Sequence, residues 1–254
     1  EEAVQQHYDA AFMWTAPEDV RDVTEHYCTL ADSTYLPQAI TMWESLRIHD
    51  PKSALWLLCM DERAYSTACE LALRGIVPIP LREIEWMYQH LLDDVKETRS
   101  HGEYCWTLTP YIIRFVLDTL TKVLDEQAAT EGRDPEPTRV TYVDADCMFH
   151  SSPQRILEKF AASGADTMIT PHAFGPEYAD MAQAGTYCVQ FMTFTDSPAA
   201  DQVLRDWSAQ TAAWCYAVME DGKFGDQRYL DEWLDKYGDT IYVLDDPTLT
   251  LAPW

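Results

Sequence analysis

Apolar and polar positions along this chain switch repeatedly between two periods. Residues 27–30 are a short apolar run that reads as a strand, and the polar Asp32-Ser33-Thr34 that follows suits a turn leading into a helix. Leu36, Ala39, Ile40, Trp43 and Leu46 then recur at helical spacing, with Pro37 in the first turn, where its missing N–H costs little. Residues 54–60 are apolar throughout, the pattern of a parallel strand covered on both faces. Ala64, Ala68, Leu71 and Ala72 predict one face of a helix over residues 62–74, closed by Gly75 as its C′ residue. Residues 76–79 predict a third strand.

The second half continues in the same way. An acidic helical region is expected over residues 83–96 and a helix through residues 111–117, whereas residues 125–137 hold a Gly and two Pro among polar residues and predict an exposed loop. A strand over residues 140–143 is followed by a helix opening at Ser152-Pro153. Residues 166–170 and 187–195 predict strands; in the second, Val189, Phe191 and Thr193 alternate with Gln190, Met192 and Phe194. Ser197-Pro198 opens a helix bearing Val203, Trp207 and Trp214, residues 226–237 read as helical, and residues 240–244 read as a strand. Alternating strands and helices imply an α/β fold with a mainly parallel central sheet flanked by helices. Residues 1–24 read as a helical lead-in, and residues 25–254 as a single domain.

The candidate chemistry gathers where strands stop. Val140-Thr141-Tyr142-Val143-Asp144-Ala145-Asp146 delivers two carboxylates, spaced i and i+2, to a strand end, the edge at which open α/β sheets bind ligands. Adjacent negative charges repel unless a cation neutralises them, and all-oxygen ligands suit Mg²⁺ or Mn²⁺. The alternative is a polar strand-to-loop junction. Asp246, after the last strand, is either a third carboxylate ligand or a turn residue. Gly225-Asp226-Gln227 offers an acid and an amide to a sugar or a reacting carbon, or else a helix N-terminal Asp favoured by the dipole. His172 follows another strand end on the expected ligand side, or is a hydrogen-bonded structural residue. Glu103-Tyr104-Cys105-Trp106-Thr107 is unusually aromatic for a helix start, suiting either stacking on a base or sugar, or core packing.

Composition narrows the class. The 254 residues carry a formal charge of −25, from 43 acids against 18 bases, which argues against nucleic acid and anionic lipid as partners. Adaptation to high salt is one reading of such acidity. The seven cysteines are scattered with no C-x-x-C pair, as free thiols in a reducing cytoplasm. No apolar run is long enough to span a membrane. The nucleophile elbow, the Rossmann glycine fingerprint and the P-loop are all missing, which disfavours serine hydrolases, dinucleotide-binding dehydrogenases and P-loop NTPases.

Six segments in order resemble a bacterial family of GT-A fold glycosyltransferases found with cell-surface polysaccharide and lipopolysaccharide gene clusters. They are Tyr27-Cys28-Thr29-Leu30-Ala31-Asp32-Ser33-Thr34-Tyr35-Leu36, Glu103-Tyr104-Cys105-Trp106-Thr107-Leu108-Thr109-Pro110, Thr141-Tyr142-Val143-Asp144-Ala145-Asp146, Thr170-Pro171-His172, Asp221-Gly222-Lys223-Phe224-Gly225-Asp226-Gln227 and Ala252-Pro253-Trp254. The layout is similar, more distantly, to the glycogenin-like retaining transferases. The resemblance implies a nucleotide-diphospho-sugar transferase acting at the cytoplasmic face of the membrane. Its partners would be a nucleoside-diphosphate sugar, UDP-linked by preference, and a glycan or lipid-linked glycan acceptor. Asp32 and Tyr35 would meet the nucleotide base, Asp144 and Asp146 the metal and diphosphate, and Asp226 and Gln227 the sugar and reaction centre, with retention of configuration. Gln190 and His172 would join the substrate-binding set. Two positions depart from the pattern. Asp246 stands where relatives carry a ligating His, and Cys188 and Gln190 stand where relatives tend to carry Asn and Gly. The chain also stops inside a motif, as a domain cut from a longer polypeptide would. The rival readings are a degenerate sugar-nucleotide-binding or scaffolding domain, and a sugar-nucleotide nucleotidyltransferase. The latter normally has a basic, Gly-rich loop where this chain has Leu30-Ala31-Asp32-Ser33.

Overall fold

The computed structural model describes residues 23–135 and 137–253, so the lead-in expected over residues 1–24 lies outside the described residues as far as residue 22, and so does Trp254 of the terminal segment. Seven strands, β1 (Glu25–Ala31), β2 (Ser53–Cys59), β3 (Ile76–Pro80), β4 (Arg139–Val143), β5 (Thr167–Pro171), β6 (Tyr187–Thr195) and β7 (Ile241–Val243), form one sheet in the order β3-β2-β1-β4-β6-β5-β7. The helices are α1 (Leu36–His49), α2 (Glu62–Leu71), α3 (Leu81–Met87), the one-turn α4 (Gln89–Leu92), α5 (His101–Glu131), α6 (Gln154–Ser163), α7 (Pro198–Ala213) and α8 (Trp233–Tyr237).

Both faces of the sheet are buried, and strand alternation distributes the core. On β1, Cys28 packs with Trp56 and Leu58 of β2 and with α5, whereas its neighbour Tyr27 packs with Leu55 and with Met42, Trp43 and Leu46 of α1. The α5–α7 layer therefore covers one face and the α1–α6 layer the other. Strands β3, β2, β1 and β4 run parallel, β6 is antiparallel to both β4 and β5, and β7 is parallel to β5. The mainly parallel sheet is as expected. The reversal at β6 matters for the site, because it brings the start of β6 to the same edge as the ends of β1 and β4.

Three boundaries differ from the sequence reading. Helix α2 stops at Leu71, with Ala72 in the left-handed conformation at φ 44, so Gly75 is not its C′ residue. Gly75 instead lies at φ +84, where an added Cβ would come within 2.5 Å of Trp43 Cζ2; the glycine serves close packing. Residues 125–131, expected as loop, are the last turns of α5, which Gly132 ends at φ 67. Their polar composition hid a helix end that buries only Ala128. Residues 226–237 are a 3-10 turn (Gln227–Glu232) followed by the short α8, not one helix.

His26, in the interior strand β1, is buried and its Nδ1 accepts a hydrogen bond from Trp56 Nε1 at 3.3 Å. Protonation would put a donor against a donor in a buried site, and burial lowers the imidazole pKa to about 4. The unfolded chain takes up this proton near the ordinary value of 6.5, so the stability present above that pH is lost as pH falls toward 4. Between pH 7 and pH 5 the unfolding free energy of the parent should fall by about 2 kcal/mol more than that of His26→Leu. Parallel slopes in denaturant titrations would show that His26 does not titrate in this way.

Candidate functional site

The two acids at the end of β4 sit on a turn, not on a continued strand. The strand stops at Val143, and the Asp144 carbonyl accepts the Cys147 N–H at 3.1 Å. Asp144 and Asp146 still reach the same cavity, but through turn geometry and not through strand alternation. The Asp144 N–H donates to the Gln190 carbonyl at 3.0 Å, and its Oδ1 accepts from the Tyr142 hydroxyl at 3.0 Å. The antiparallel strand β6 thus fixes the height at which Asp144 meets the cavity.

That cavity holds about 400 Å³, the scale of a small-molecule site, at the sheet edge where β1 and β4 end and β6 begins. Asp32 and Tyr35 line it from β1 and the turn after it, His101 and Trp106 from α5, and Asp226 and Gln227 from the loop before α8. Five stretches far apart in the chain therefore meet here. Asp32 is already committed: its Oδ1 accepts the N–H groups of Thr34 and Tyr35, each at 2.8 Å, and its Oδ2 lies 2.9 Å from His101 Nε2. The turn is held from below by Asp61, which caps α2 through Ala64 N–H at 2.7 Å and accepts the Ser33 N–H at 2.8 Å.

Asp226 is the most heavily buried acid of the set, at 6% exposure. It does not cap the turn that follows, so the helix-end role considered from the sequence does not describe it. Gly225, in the left-handed conformation at φ +53, turns the chain, and the Trp207 indole N–H anchors the Asp226 carbonyl at 2.9 Å. Burial, then the charge of Asp144, pushes the Asp226 carboxyl up to about 7. Burial, then Asp146, pushes Asp144 up to about 6. Gln227 donates its side-chain N–H to the Ala184 carbonyl at 2.9 Å and so ties the segment between β5 and β6 to the site.

Among the described residues no lysine or arginine lines this cavity, against four carboxylates (Asp32, Asp144, Asp146, Asp226) and one histidine bonded to the first of them. Ionised together in a poorly solvated space, Asp144 and Asp146 repel, and their hard oxygens suit a divalent ion such as Mg²⁺ or Mn²⁺. The donor set fits such an ion in part. Among the described residues no three His, Cys, Asp or Glu side chains are placed to hold a metal together.

The structure does not bring the remaining candidates to the cavity. Asp246 caps the turn Pro247–Leu249, bonds Thr248 Oγ1 at 2.5 Å and Arg155 at 3.3 Å, and follows β7, which β6 and β5 separate from β4. His172 is buried, with its ring stacked on Phe174 at 4.6 Å and its backbone N–H donating to the Thr186 carbonyl. Gln190 is buried in β6 and serves Asp144 through its backbone. Conversely, His101 and Asp61 escaped the sequence reading. Asp61 has the local signature of a helix N-cap, but its bond to Ser33 and that of His101 to Asp32 reach across 28 and 69 residues, which local sequence does not show. No helix among the described residues is long and apolar enough to cross a membrane.

No known family model matches the chain. The chain is 30% identical over 239 residues to the uncharacterised protein YfnF of Bacillus subtilis (strain 168), across 91% of this chain and 72% of the relative. With YfnD of the same organism it shares 24% over 234 residues, 91% of this chain and 69% of the relative. Among solved structures, mouse xyloside xylosyltransferase 1 in its apo form superposes with a TM-score of 0.50 at 14% identity, over 87% of this chain and 85% of that one. The glycosyltransferase GlyE of Streptococcus pneumoniae TIGR4 does so with a TM-score of 0.50 at 15% identity, over 88% of this chain and 46% of that one. The architecture is that of the GT-A nucleotide-sugar transferases, and by sequence the chain belongs to the family of Bacillus subtilis YfnF.

Proposed function

We infer that this protein is a metal-dependent glycosyltransferase that moves a sugar from a nucleoside-diphosphate sugar, UDP-linked by preference, to an acceptor hydroxyl in surface glycan synthesis. The observation that carries this reading is the cavity itself: a sheet-edge site lined by four carboxylates and, among the described residues, by no lysine or arginine. An anionic diphosphate binds such a site only together with a cation, and Asp144 and Asp146 offer that cation hard oxygen ligands. When bound there, Mg²⁺ or Mn²⁺ supplies Lewis acidity for departure of the diphosphate.

The chain's own residues divide the remaining work. The Asp32–Tyr35 turn, braced by Asp61, receives the base. Tyr142 and the Gln190 carbonyl orient Asp144. Asp226, when ionised, would favour the positive charge that develops at the anomeric carbon. Gln227 orders the neighbouring wall through Ala184. Retention of configuration is the stereochemical outcome carried by the resemblance, and the anomeric signal of the product in NMR tests it.

The bonds of Asp246 to Arg155 and Thr248 favour a second reading, a sugar-nucleotide-binding domain without turnover, since among the described residues no third His, Cys, Asp or Glu joins the pair. UDP release from a panel of UDP- and GDP-sugars separates the two: turnover supports the enzyme, and binding without release supports the domain.

Two variants test the roles. Asp146 is exposed and outside the core, so Asp146→Ala should leave the unfolding midpoint unchanged and weaken Mn²⁺-dependent UDP binding at least tenfold, the scale of losing one direct charged ligand. Parental affinity by calorimetry would remove Asp146 from the metal site. Asp226→Asn keeps size and hydrogen bonding and should spare donor affinity while lowering kcat by roughly 100-fold, as expected for an interaction made chiefly in the transition state. A variant with parental kcat would leave Asp226 without a role in the chemistry.

A further inference from the structure

The aromatic start of α5 divides into two environments. Tyr104 is 3% exposed and donates its hydroxyl to Glu85, whereas Trp106, two residues on, is 36% exposed and lines the cavity. His101, Gly102, Cys105, Trp106 and Thr109 share the face of the helix turned to the cavity, and Trp106 is its one large apolar side chain. An indole left this open inside a concave site costs solvation that core packing would have recovered.

The indole is also held rigidly. A Cβ on Gly225 would lie 3.3 Å from Cε3, 3.6 Å from Cζ3 and 3.9 Å from Cδ2, so the bare Cα of the glycine rests against the six-membered ring. The Phe224 ring lies 6.2 Å away at 44°. The loop that carries both residues is fixed to the same end of α5, because Glu103 Oε1 accepts the Ala217 N–H at 2.8 Å and the Gly225 N–H donates to the Tyr216 carbonyl at 3.0 Å. Contact on the open side therefore costs little ordering entropy. Asp226 and Gln227 follow Gly225 directly and line the same cavity, so a preformed apolar surface sits beside hydroxyl-binding groups.

We propose that Trp106 is the specificity platform for the transferred sugar: it takes the C–H face of an uncharged pyranose whose hydroxyls bond to Asp226 and Gln227. Amphipathic rings of this kind match a site with one aromatic wall and a few polar groups. The charge pattern sets the other half of the specificity. A uronate would bring a further negative charge among four carboxylates with no lysine or arginine among the described residues to meet it, so acidic sugars are rejected. This inference rests on the glycosyltransferase reading above.

Calorimetry in Mn²⁺ with UDP, UDP-glucose, UDP-N-acetylglucosamine and UDP-glucuronate tests it. In the parent, at least one neutral UDP-sugar should bind roughly tenfold tighter than UDP, the scale of one good aromatic contact, and UDP-glucuronate should bind no tighter than UDP. Trp106→Ala should abolish that increment while leaving the UDP affinity within about twofold, and Trp106→Phe should keep most of it. Trp106→Leu, which retains apolar volume without a π face, replaces the alanine variant should that one fail to fold. Equal losses for UDP and UDP-sugar would make Trp106 a base contact or a structural wall and overturn the proposal, as would an unchanged sugar increment or tight binding of the glucuronate. Failure of the parent to bind UDP, GDP or any of their sugars with Mn²⁺ would instead overturn the glycosyltransferase reading beneath it.

Discussion

Electrostatic repulsion among carboxylates at one sheet edge is the constraint to which the rest of this structure answers. Burying an acid in a poorly solvated pocket costs several kcal/mol unless hydrogen bonds or an opposite charge offset it. Here Asp226 and Asp144 are both held above the ordinary carboxylate range, by burial and by each other's neighbours. The fold tolerates this because it fixes the backbone around them from several sides: Trp207 on the Asp226 carbonyl, β6 on the Asp144 N–H, and a left-handed glycine before Asp226. Such expenditure on groups that weaken the fold is typical of sites kept for function.

Topology makes the convergence possible. Parallel strands β1 and β4 end at the same edge, and antiparallel β6 begins there, so Asp32, Asp144 and Cys188 meet although more than 150 residues separate the first from the last. Helix α5 adds a wall from its N-terminal turns, and the loop before α8 closes the cavity by folding back onto that wall. Glu103 joins the two, since it completes the capping box with Ser100 and accepts the Ala217 N–H. Its carboxyl is held below the ordinary range by those two backbone bonds, Ala217 first. One acid thus couples the start of the longest helix to the loop that delivers Asp226.

What the sequence made legible follows from locality. Strand β6 is found over the residues its alternation predicts, and the apolar run of β2 reads directly as a strand covered on both faces. The end of α5 is hidden, because its last two turns are solvated and a polar helix has no apolar period to detect. The same division holds at the site. Asp144 and Asp146 are legible as a strand-end acid pair, and Asp226 and Gln227 as polar residues after a glycine. The remoteness of Asp246 was not legible, since strand order is a tertiary fact: β7 docks beyond β5, and chain order gives no sign of it. The opposite fates of Tyr104 and Trp106 depend on which helix face meets the cavity, and two aromatics in one turn carry no such label.

The proposed function requires that an anionic diphosphate enter this acidic cavity only with a divalent cation. Reciprocal calorimetric titrations of UDP and Mn²⁺ measure that coupling directly, because linkage requires each ligand to raise the affinity of the other by the same factor. UDP binding should be weak or undetectable in chelator, with a strong, equal enhancement in both directions when the two are present together. UDP affinity that is the same with chelator as with Mn²⁺ would contradict it.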